Sequence, residues 1–494
     1  MSLIDYIAEQ TTKYIENMPK TDRKKYGQFF TSKETAVFMA SLFNIPHGKK
    51  ELLVLDPGAG SGILSVALIE RLQGVSAIEH INLVCYETDA NVIPLLTANL
   101  NWICNNASVS VTYQIVMDNY ILSQDYEYNM LCNADCVRKY DMVIGNPPYM
   151  KLPKDAPEVK AMQDVCYGAP NLYFLFASMS LFNLKDGGEI VYIIPRSWTS
   201  GAYFKRFRQK FLTDGALKHI HLFVSRDKVF EKESVLQETI IIKVKKTHVK
   251  PKQVMVTTTN TNHDFSELTR FPAPYNTVVS GEDMYVYLVT NRQEISVLKR
   301  LNQLKDSLPD IGLRMKTGLT VDFRNWDVLR NQEEEKAVPL FYAQHIRHGK
   351  IEFPIGKEHE FIVTEQQGLL QPNENYLFVK RFTSKEESRR LQCGVYLSKA
   401  FAKYKNISTQ NKINFITGTK KLSECVVYGL YVMFNSTLYD LYYRILNGST
   451  QVNSTEVNSM PVPSMAVIEE MGKKLIEAGD MTVETCDLIL GSYI

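Results

Sequence analysis

The segment spanning residues 52–64 reads LLVLDPGAGSGIL. An apolar run ends in Asp56, glycines follow at positions 58, 60 and 62, and a stretch with helical periodicity comes next. Small residues are needed where a strand turns tightly into a helix and lets a ligand approach the backbone. The spacing G-x-G-x-G lacks the third glycine position of the dinucleotide fingerprint and the Lys-Ser/Thr of a P-loop. The segment therefore predicts a nucleotide-like cofactor other than NAD or ATP, although a plain strand-to-helix turn has the same composition.

The first half of the chain repeats this alternation of buried strands and helices. Strands are predicted at residues 52–55, 81–86, 109–116, 141–144, 189–194, 220–223 and 239–244. Helices are predicted at residues 32–43, 63–72, 92–99, 172–184 and 203–212. This order predicts an α/β fold with a mostly parallel, doubly wound sheet. The last two strands have no helix between them, which indicates an antiparallel hairpin at one edge.

A chain of 494 residues exceeds what one hydrophobic core usually serves, so two domains are expected. After Lys245 the alternation stops, and the polar tract Thr257–Asn262 is predicted to be a loop. We therefore predict a helical extension over residues 1–26, a catalytic domain over 27–250 and a second, α+β domain over 251–494.

Composition narrows the class of protein further. Hydrophobic residues make up 45% and charged residues 22%, which excludes a disordered chain, and the net charge of +2 gives no overall sign of a polyanionic partner. The eight cysteines include no CxxC pair, which argues against a zinc knuckle, a disulfide framework and a metal site. No apolar run reaches about 18 residues, so we expect a cytoplasmic protein without a membrane segment.

Two further acids follow the next two predicted strands. Glu87 lies in CYETD, where its carboxylate can accept both hydroxyls of a ribose, and Asp118 lies in VMD, where it can accept from an adenine amino group. One such acid is more typical of a helix N-cap. Three acids at successive strand ends, counting Asp56, favour a cofactor crevice.

The fourth predicted strand ends in the sequence Asn146-Pro147-Pro148-Tyr149. Two prolines hold a rigid loop without N–H donors, so carbonyl oxygens and the Asn146 side-chain oxygen remain as acceptors for an exocyclic amine. Tyr149 adds a ring on which a planar base can stack. A simple Asn-Pro-Pro turn is the structural alternative.

These motifs resemble those of S-adenosylmethionine-dependent amino methyltransferases that act on DNA adenine, in particular the gamma class, which includes the TaqI methyltransferase. The resemblance rests on GQFFTSKETAVFMASLF (27–43), DPGAGSG (56–62), CYETDA (85–90), GNPPY (145–149), residues 171–199 and VFEKESVLQETIIIKV (229–244). In the second half, MKTGLTVDFRNW (315–326), YLFVKRFTSKEESRR (376–390) and LNGSTQVNSTEVNSMPVP (446–463) resemble recognition domains of the BsuBI and PstI kind. Asp56 departs from several relatives that carry Glu there.

The resemblance implies a role for each matching residue. The cofactor S-adenosylmethionine would be held by Phe29, Thr31, Asp56, Pro57, Gly58, Ala59, Gly60, Gly62, Glu87, Thr88, Asp118 and Asn146. The catalytic group would be Asn146, Pro147, Pro148 and Tyr149, with Phe230 on the opposite face of a flipped-out adenine. Methyl transfer to N6 would then be direct, with no metal and no covalent enzyme intermediate.

Local basic clusters with aromatic neighbours indicate contacts with double-stranded DNA. The candidate contacts are Arg196, Lys205, Arg206, Arg208, Lys380, Arg381, Arg389, Arg390, Ser449, Gln451 and Asn453. A charge run is also typical of a solvated helix face, and the polar loop near residue 450 is also typical of a connecting turn. The resemblance further implies a bacterial monomer, with any restriction endonuclease supplied by a separate chain.

Other substrates stay open at this point. A Pro-Pro-aromatic loop also serves N4-cytosine methylation, and protein glutamine methyltransferases carry the same loop but lack a large C-terminal half. An RNA methyltransferase and a non-catalytic DNA-binding protein are further alternatives. Asn at the first loop position and the order of the motifs favour adenine in DNA.

Overall fold

The computed structural model of the chain describes residues 2–17, 30–46, 48–130, 139–168, 170–223, 239–263, 265–384, 387–446 and 450–494. Phe29, Phe230 and Ser449, three of the predicted site residues, lie outside these ranges. Contacts within the chain divide it into two units, Met1–Arg292 and Gln293–Ile494. The two units are described separately.

The first unit is an α/β structure built on one large sheet. Its helices are α1 (Leu3–Asn17), α2 (Lys33–Ser41), α3 (Ile63–Leu72), α4 (Ile93–Asn106), α5 (Asp125–Tyr128), α6 (Pro157–Ala161), α7 (Leu172–Asn183), α8 (Lys205–Asp214) and α9 (Tyr275–Val278). Its strands are β1 (Glu51–Asp56), β2 (His80–Tyr86), β3 (Ser110–Val116), β4 (Tyr140–Gly145), β5 (Leu184–Pro195), β6 (Gly215–Phe223), β7 (Thr239–Lys246), β8 (Gln253–Thr259), β9 (Thr269–Pro274), β10 (Val279–Ser280) and β11 (Tyr285–Val286). The predicted fold class is confirmed, and each predicted strand and helix overlaps an observed one.

Nine of these strands form one sheet in the order β3-β2-β1-β4-β5-β7-β6-β8-β9. The strands from β3 to β5 are parallel, so their carboxyl ends meet at one edge. The order reverses at β1, which leaves a crevice beside its carboxyl end for a ligand. Burial follows from the sequence, since β4 is buried at every position.

The predicted antiparallel pairing of β6 and β7 is confirmed, but its place at the sheet edge is wrong. Strand β7 also pairs with β5, while β6 pairs with β8, so the two strands lie inside the sheet. The edge is occupied by β9, which pairs antiparallel with β8. The sequence after residue 250 therefore contributes two strands to this sheet.

The predicted boundary near residue 250 consequently differs from the observed division after Arg292. The tract Thr257–Asn262 is also not a loop throughout, because Thr257 to Thr259 belong to β8. Threonine is β-branched and suits a strand. The Thr257 hydroxyl lies 2.8 Å from His219 Nε2 and 2.9 Å from His221 Nδ1, so β8 fixes both histidine side chains of β6.

Helix α1 covers Leu3–Asn17 of the predicted N-terminal extension, and it packs against the rest of the first unit. The Thr11 hydroxyl lies 2.8 Å from the Ser61 hydroxyl in the glycine turn. The Tyr6 ring stacks on Trp102 of α4 with 3.9 Å between ring centres. The extension therefore supports the turn after β1.

The second unit is an α+β structure. Its helices are α10 (Arg292–Leu301), α11 (Glu424–Asn435), α12 (Thr437–Leu446), α13 (Ser454–Asn458), α14 (Met465–Ala478) and α15 (Val483–Gly491). Its strands are β12 (Asp306–Ser307), β13 (Leu313–Thr317), β14 (Leu329–Arg330), β15 (Val338–Phe341), β16 (Ile346–Arg347), β17 (Lys350–Ile351), β18 (Phe361–Ile362), β19 (Gln371–Pro372), β20 (Tyr376–Lys380), β21 (Cys393–Tyr396), β22 (Asn406–Thr409), β23 (Ile413–Gly418) and β24 (Pro461–Val462).

These strands form mainly two sheets, in the orders β13-β23-β20-β21-β17-β16 and β14-β18-β15-β22-β19. Helices α11 and α14 pack closely because glycines lie at their crossing. A Cβ on Gly472 would come 1.7 Å from the Cys425 carbonyl oxygen, and one on Gly429 would come 1.8 Å from that of Ile468. Among the described residues, no helix has the length and apolar character needed to cross a membrane.

Candidate active site and family

A cavity of about 240 Å³ opens at the carboxyl edge of the parallel strands in the first unit. Its lining combines the three strand ends and the proline loop that the sequence predicts. The predicted residues on its wall are Pro57, Gly58, Gly60, Glu87, Thr88, Asp118, Asn146, Pro147 and Pro148. The structure therefore brings together residues as far apart in the sequence as Pro57 and Pro148.

The glycine turn owes its shape to two residues with positive φ. Gly60 has φ +53° and Gly62 has φ +83°, and Gly62 is the N-cap of α3. A Cβ on Gly60 would come 3.6 Å from the Phe30 ring, which also lines the cavity, and one on Gly62 would come 3.1 Å from Leu96. Both positions favour glycine because of their positive φ, and at Gly62 a side chain would also crowd Leu96.

Glu87 ties the second strand end to the glycine turn. Its Oε2 accepts from the Gly60 N–H at 2.9 Å, and its Oε1 accepts from the N–H groups of Thr88 at 2.8 Å and Asp89 at 2.9 Å. Burial raises the pKa of Glu87, while these three backbone N–H groups oppose that rise. The carboxylate is thus held in one orientation against the cavity.

Asp56 lies just behind the cavity wall and is fully buried. Its Oδ2 accepts from the Ser65 hydroxyl at 2.7 Å, whereas its Oδ1 makes no hydrogen bond with the described residues. Burial raises the pKa of Asp56 to about 7, opposed in part by Ser65 and by the Gly58 N–H. Pro57 and Gly58, which directly follow it, line the cavity.

The third strand end is more open. Asp118 is exposed and lines the cavity together with Asn119. The Asn119 side chain donates to Glu158 of α6 at 2.8 Å, and its oxygen accepts from the Ile121 N–H at 3.0 Å. Asn119 therefore fixes the turn that presents Asp118.

The Asn146 carboxamide is held at both ends. Its Nδ2 donates to the Thr31 hydroxyl at 3.2 Å, and its Oδ1 lies 2.7 Å from the Tyr149 hydroxyl. The same Tyr149 hydroxyl lies 3.0 Å from the Ile193 carbonyl oxygen of β5. A phenol has one hydrogen, so these two acceptors share it. Thr31 and Tyr149 together orient the amide that borders the cavity.

Tyr149 was predicted to offer a stacking face, and the structure places it differently in this state. Its side chain is buried and is not one of the described residues that line the cavity. This burial raises the pKa of Tyr149. The ring meets Tyr173 edge-on at 6.3 Å between ring centres. Stacking of Tyr149 on a base stays a prediction.

Several residues of the cavity wall were not predicted from the sequence. These are Phe30, Tyr86, Asp89, Asn119, Tyr120, Leu172 and Phe176. Most are direct neighbours of predicted residues, and Leu172 and Phe176 lie one helical turn apart on α7. The i, i+4 spacing near the start of α7 was the signal that could have found the last two.

Comparison with known proteins places the whole chain in one family. The type II methyltransferase M.PstI of Providencia stuartii is 32% identical over 503 residues, covering 100% of this chain and 97% of the relative. The type II methyltransferase M.BsuBI of Bacillus subtilis is 34% identical over 466 residues, covering 92% of this chain and 91% of the relative. The chain belongs to the type II methyltransferases. The resemblance of its second half to the BsuBI and PstI kind is thereby confirmed.

Two other comparisons agree with this family. The model of the Eco57I restriction-modification methylase family matches residues 73–230, which include the proline loop of this methyltransferase. The solved structure of the type IIL restriction-modification enzyme MmeI in complex with DNA matches with a TM-score of 0.56 at 13% identity. That match covers 99% of this chain and 73% of MmeI and shows a shared fold.

The cationic residues predicted to contact DNA differ in how deeply they are buried in this methyltransferase. Arg208 is fully buried, and its guanidinium donates to the carbonyl oxygens of Trp198 at 2.9 Å, Gly201 at 2.7 Å and Asp283 at 2.9 Å. Arg390 is also fully buried, with its Nε 3.2 Å from the Thr383 hydroxyl. The structure contradicts DNA contact for both, because neither side chain reaches the surface.

The other described residues that were predicted to contact DNA are at least partly accessible. Lys205 pairs with Asp283 at 2.6 Å, and Arg389 donates to the Ser436 carbonyl oxygen at 2.9 Å beyond the end of α11. Lys380 donates to the Gln392 side chain at 2.9 Å, and Arg381 to the Asn411 carbonyl oxygen at 3.0 Å. Arg196, Arg206, Gln451 and Asn453 are also exposed or half-buried. Their DNA contacts stay predictions.

Proposed function

We propose that this type II methyltransferase transfers a methyl group from S-adenosylmethionine to N6 of adenine in double-stranded DNA. The observation that carries the proposal is the shared cavity of Glu87, Asp118 and the Asn146-Pro147-Pro148 loop. Groups suited to a nucleoside cofactor and acceptors suited to an exocyclic amine thus border the same space.

The residues present fit the cofactor. Glu87 Oε2 accepts a single N–H among the described residues, so it keeps a lone pair for a ribose hydroxyl. Asp118 is exposed at the cavity and can accept from an adenine amino group. Gly60, which lines the cavity, and the unpartnered Oδ1 of Asp56 lie along the same turn. When bound, S-adenosylmethionine supplies a methyl group on a positively charged sulfur.

The proline loop fits an amine substrate. Pro147 and Pro148 have no N–H, so the loop offers the Asn146 side-chain oxygen and the Pro147 carbonyl oxygen as acceptors. Two acceptors can take the two hydrogens of adenine N6 and make its lone pair available for direct transfer. The N–C bond would form as the S–C bond breaks, S-adenosylhomocysteine would leave, and N6 would lose one proton. The base must first leave the duplex, and Tyr149 and Phe230 are the rings that we propose to stack on it.

The comparisons support DNA as the molecule that contains the target base. M.PstI and M.BsuBI are named type II methyltransferases, and MmeI was solved in complex with DNA. We therefore propose that this chain modifies DNA. Size-exclusion chromatography with light scattering would test the monomer expected from the sequence.

The deciding experiment incubates the protein with isotope-labelled S-adenosylmethionine and, in parallel, duplex DNA, RNA or protein, and then identifies the labelled product after digestion. Label in N6-methyladenine is expected. Label in N4-methylcytosine would replace the proposed base, and label in RNA or protein but not in DNA would overturn the proposal.

A variant tests the role of the loop. Asn146→Ala should lower kcat by about 10²- to 10³-fold, because one positioned polar group at a reaction centre has an effect of this size. The melting temperature should stay close to that of the wild type, and calorimetry would show how much cofactor affinity is lost through the contact that the resemblance implies for Asn146. Asn105→Ala, at an exposed position of α4, serves as the matched control. Full activity of Asn146→Ala would remove this residue from the mechanism.

A further inference from the structure

We propose that a second surface of the first unit binds the DNA strand beside the flipped-out base. It consists of Tyr167, Gly168, Tyr203 and Arg206, together with Met150 and Lys151, and is called the tyrosine surface below. The inference rests on the proposed function and adds the residues that would hold the strand next to the catalytic loop.

Three large hydrophobic side chains of the tyrosine surface are at least half exposed. Tyr203 is 61% exposed, Tyr167 56% and Met150 50%. Single exposed apolar side chains are common, but a group of them beside a functional loop is typical of a binding surface.

Tyr203 is exposed but fixed in place. A Cβ on Gly168 would come 2.2 Å from a carbon of the Tyr203 ring, so the ring lies directly on the Gly168 backbone. Gly168 has φ +151°, a conformation that side-chain-bearing residues rarely adopt. The glycine therefore serves as a platform for the ring, and the ring keeps its outer side towards solvent.

Arg206 adds a positive charge next to the two rings. Its Nη1 donates to the Cys166 carbonyl oxygen at 3.2 Å, and its guanidinium lies 5.9 Å from the centre of the Tyr167 ring. Among the described residues Arg206 forms no ion pair, whereas the nearby cations Lys205 and Lys210 are paired with Asp283 and Asp164. The charge of Arg206 is thus left for a ligand.

The tyrosine surface begins where the catalytic loop ends. Met150 follows Tyr149 directly, and its carbonyl oxygen accepts from the Leu172 N–H at 2.8 Å. The Leu152 N–H donates to the Pro170 carbonyl oxygen at 3.0 Å, and the backbones of Lys151 and Asn171 form an isolated antiparallel β-bridge. Residues 150–152 therefore run beside residues 170–172, shortly after Gly168.

A second chain of ring contacts joins the two sites. Tyr149 meets Tyr173 at 6.3 Å between ring centres, and Tyr173 meets Phe204, the neighbour of Tyr203, at 6.0 Å. The Tyr173 hydroxyl also lies 3.1 Å from the Ser197 hydroxyl. These contacts connect Phe204, and through it the adjacent Tyr203, to the catalytic loop.

DNA fits this combination of groups. Aromatic rings stack on bases or pack on sugars regardless of sequence, and guanidinium and ammonium groups bind phosphates. A strand with one base flipped out offers an unstacked base face next to phosphates. We therefore assign Tyr167 and Tyr203 to the bases or sugars, and Arg206 and Lys151 to the phosphates.

The test measures duplex affinity by fluorescence anisotropy and cofactor affinity by calorimetry. Tyr203→Ala should weaken duplex binding by about 5- to 150-fold, the range expected for one aromatic base contact. Tyr203→Trp should restore binding, because it keeps an aromatic face. Tyr126→Ala, at another tyrosine that is 56% exposed, should stay within about twofold of the wild type. Cofactor affinity should be unchanged in all three variants.

Arg206→Ala should also weaken duplex binding and should reduce the slope of log affinity against log salt by about 0.9, the value for one phosphate neutralised by the protein. Equal duplex affinity of Tyr203→Ala and Tyr126→Ala would overturn the inference, as would loss of binding that Tyr203→Trp does not restore. If the wild type methylates DNA but tolerates these changes, only the inference fails. If it neither binds nor methylates DNA, the proposed function fails as well.

Discussion

Two buried aspartates, Asp56 in the first unit and Asp440 in the second, show how the two units use charge. Asp440 is 5% exposed, and its Oδ1 accepts from the N–H groups of Arg390 at 2.7 Å and Leu391 at 2.9 Å. Its Oδ2 accepts from Arg444 Nε at 2.8 Å. Asp56 is fully buried, its Oδ2 accepts from the Ser65 hydroxyl, and its Oδ1 has no hydrogen-bond partner among the described residues.

The comparison separates structural from functional charge. A carboxylate with several donors costs little to bury, whereas an incompletely paired one raises its pKa and reduces stability. Proteins keep such groups mainly where a ligand can use them. Asp56 directly precedes the cavity wall, while Asp440 links α12 to the segment Arg390–Leu391.

The largest change in stability is expected at the fully paired site. Asp440→Ala leaves two backbone N–H groups and Arg444 without their acceptor, and we expect a loss of about 3–5 kcal/mol in the free energy of unfolding. Denaturant unfolding would measure it. Asp327→Ala, at an exposed aspartate of the same unit, should change stability by less than about 0.5 kcal/mol. Similar values for both variants would contradict the structural role of Asp440.

Asp56 should make stability fall as the pH rises. Its pKa is raised from 3.8 to about 7, so between these values the folded protein keeps a proton that the unfolded chain has lost. The free energy of unfolding should therefore decrease from about pH 4 to pH 7 and lose nothing further above that range. Asp56→Asn should be more stable than the wild type at pH 8, by up to about 4 kcal/mol, and equal to it near pH 4. Denaturant unfolding at both pH values checks this, and a gain independent of pH would refute it.

Two arginines on α8 extend the comparison to positive charge. Arg208→Ala should lower the free energy of unfolding by about 3 kcal/mol, because buried carbonyl oxygens lose a charged donor. Arg206→Ala should change it by less than about 0.5 kcal/mol, since the side chain is exposed. Thermal unfolding compares the two directly, and equal melting temperatures would contradict the burial of Arg208.

The smallest effect is expected at Thr31. Thr31→Val removes the hydroxyl that accepts from Asn146, and the loss of one hydrogen bond should lower kcat by about 3- to 10-fold. Thr31→Ser should restore kcat. Initial rates at saturating cofactor distinguish this from the cofactor contact implied by the family resemblance, which would instead raise the KM for the cofactor.

The first unit was largely predictable because its signals are local. Periodicity identified the strands, and the strand-end acids and the proline loop identified the cavity wall, since parallel strands bring their carboxyl ends together. The position of β7 between β5 and β6 could not be predicted, because pairing partners depend on contacts distant in sequence. The loop predicted at Thr257 to Thr259 is wrong because the prediction followed the polarity of these residues and not the strand preference of their β-branched side chains.

The roles of the cations were harder to predict. Arg206 and Arg208 are two positions apart and look alike in the sequence, but positions two apart on a helix face different directions. One side chain therefore points to solvent and the other to the carbonyl oxygens of Trp198 and Gly201. Phe30 was not predicted for a related reason, since the sequence does not show that its ring borders a cavity.

The strand β8 and the residues after it decide where chimeric enzymes can be joined. The Asn262 carbonyl oxygen accepts from the hydroxyls of Ser32 at 3.2 Å and Thr35 at 3.0 Å, at the start of the helix that follows Thr31. A crossover near residue 250 would replace this acceptor and strands β8 and β9 with foreign sequence. Exchange of C-terminal halves between relatives should therefore be made just before α10, which begins at Arg292, so that β8, β9 and Asn262 stay with the first unit.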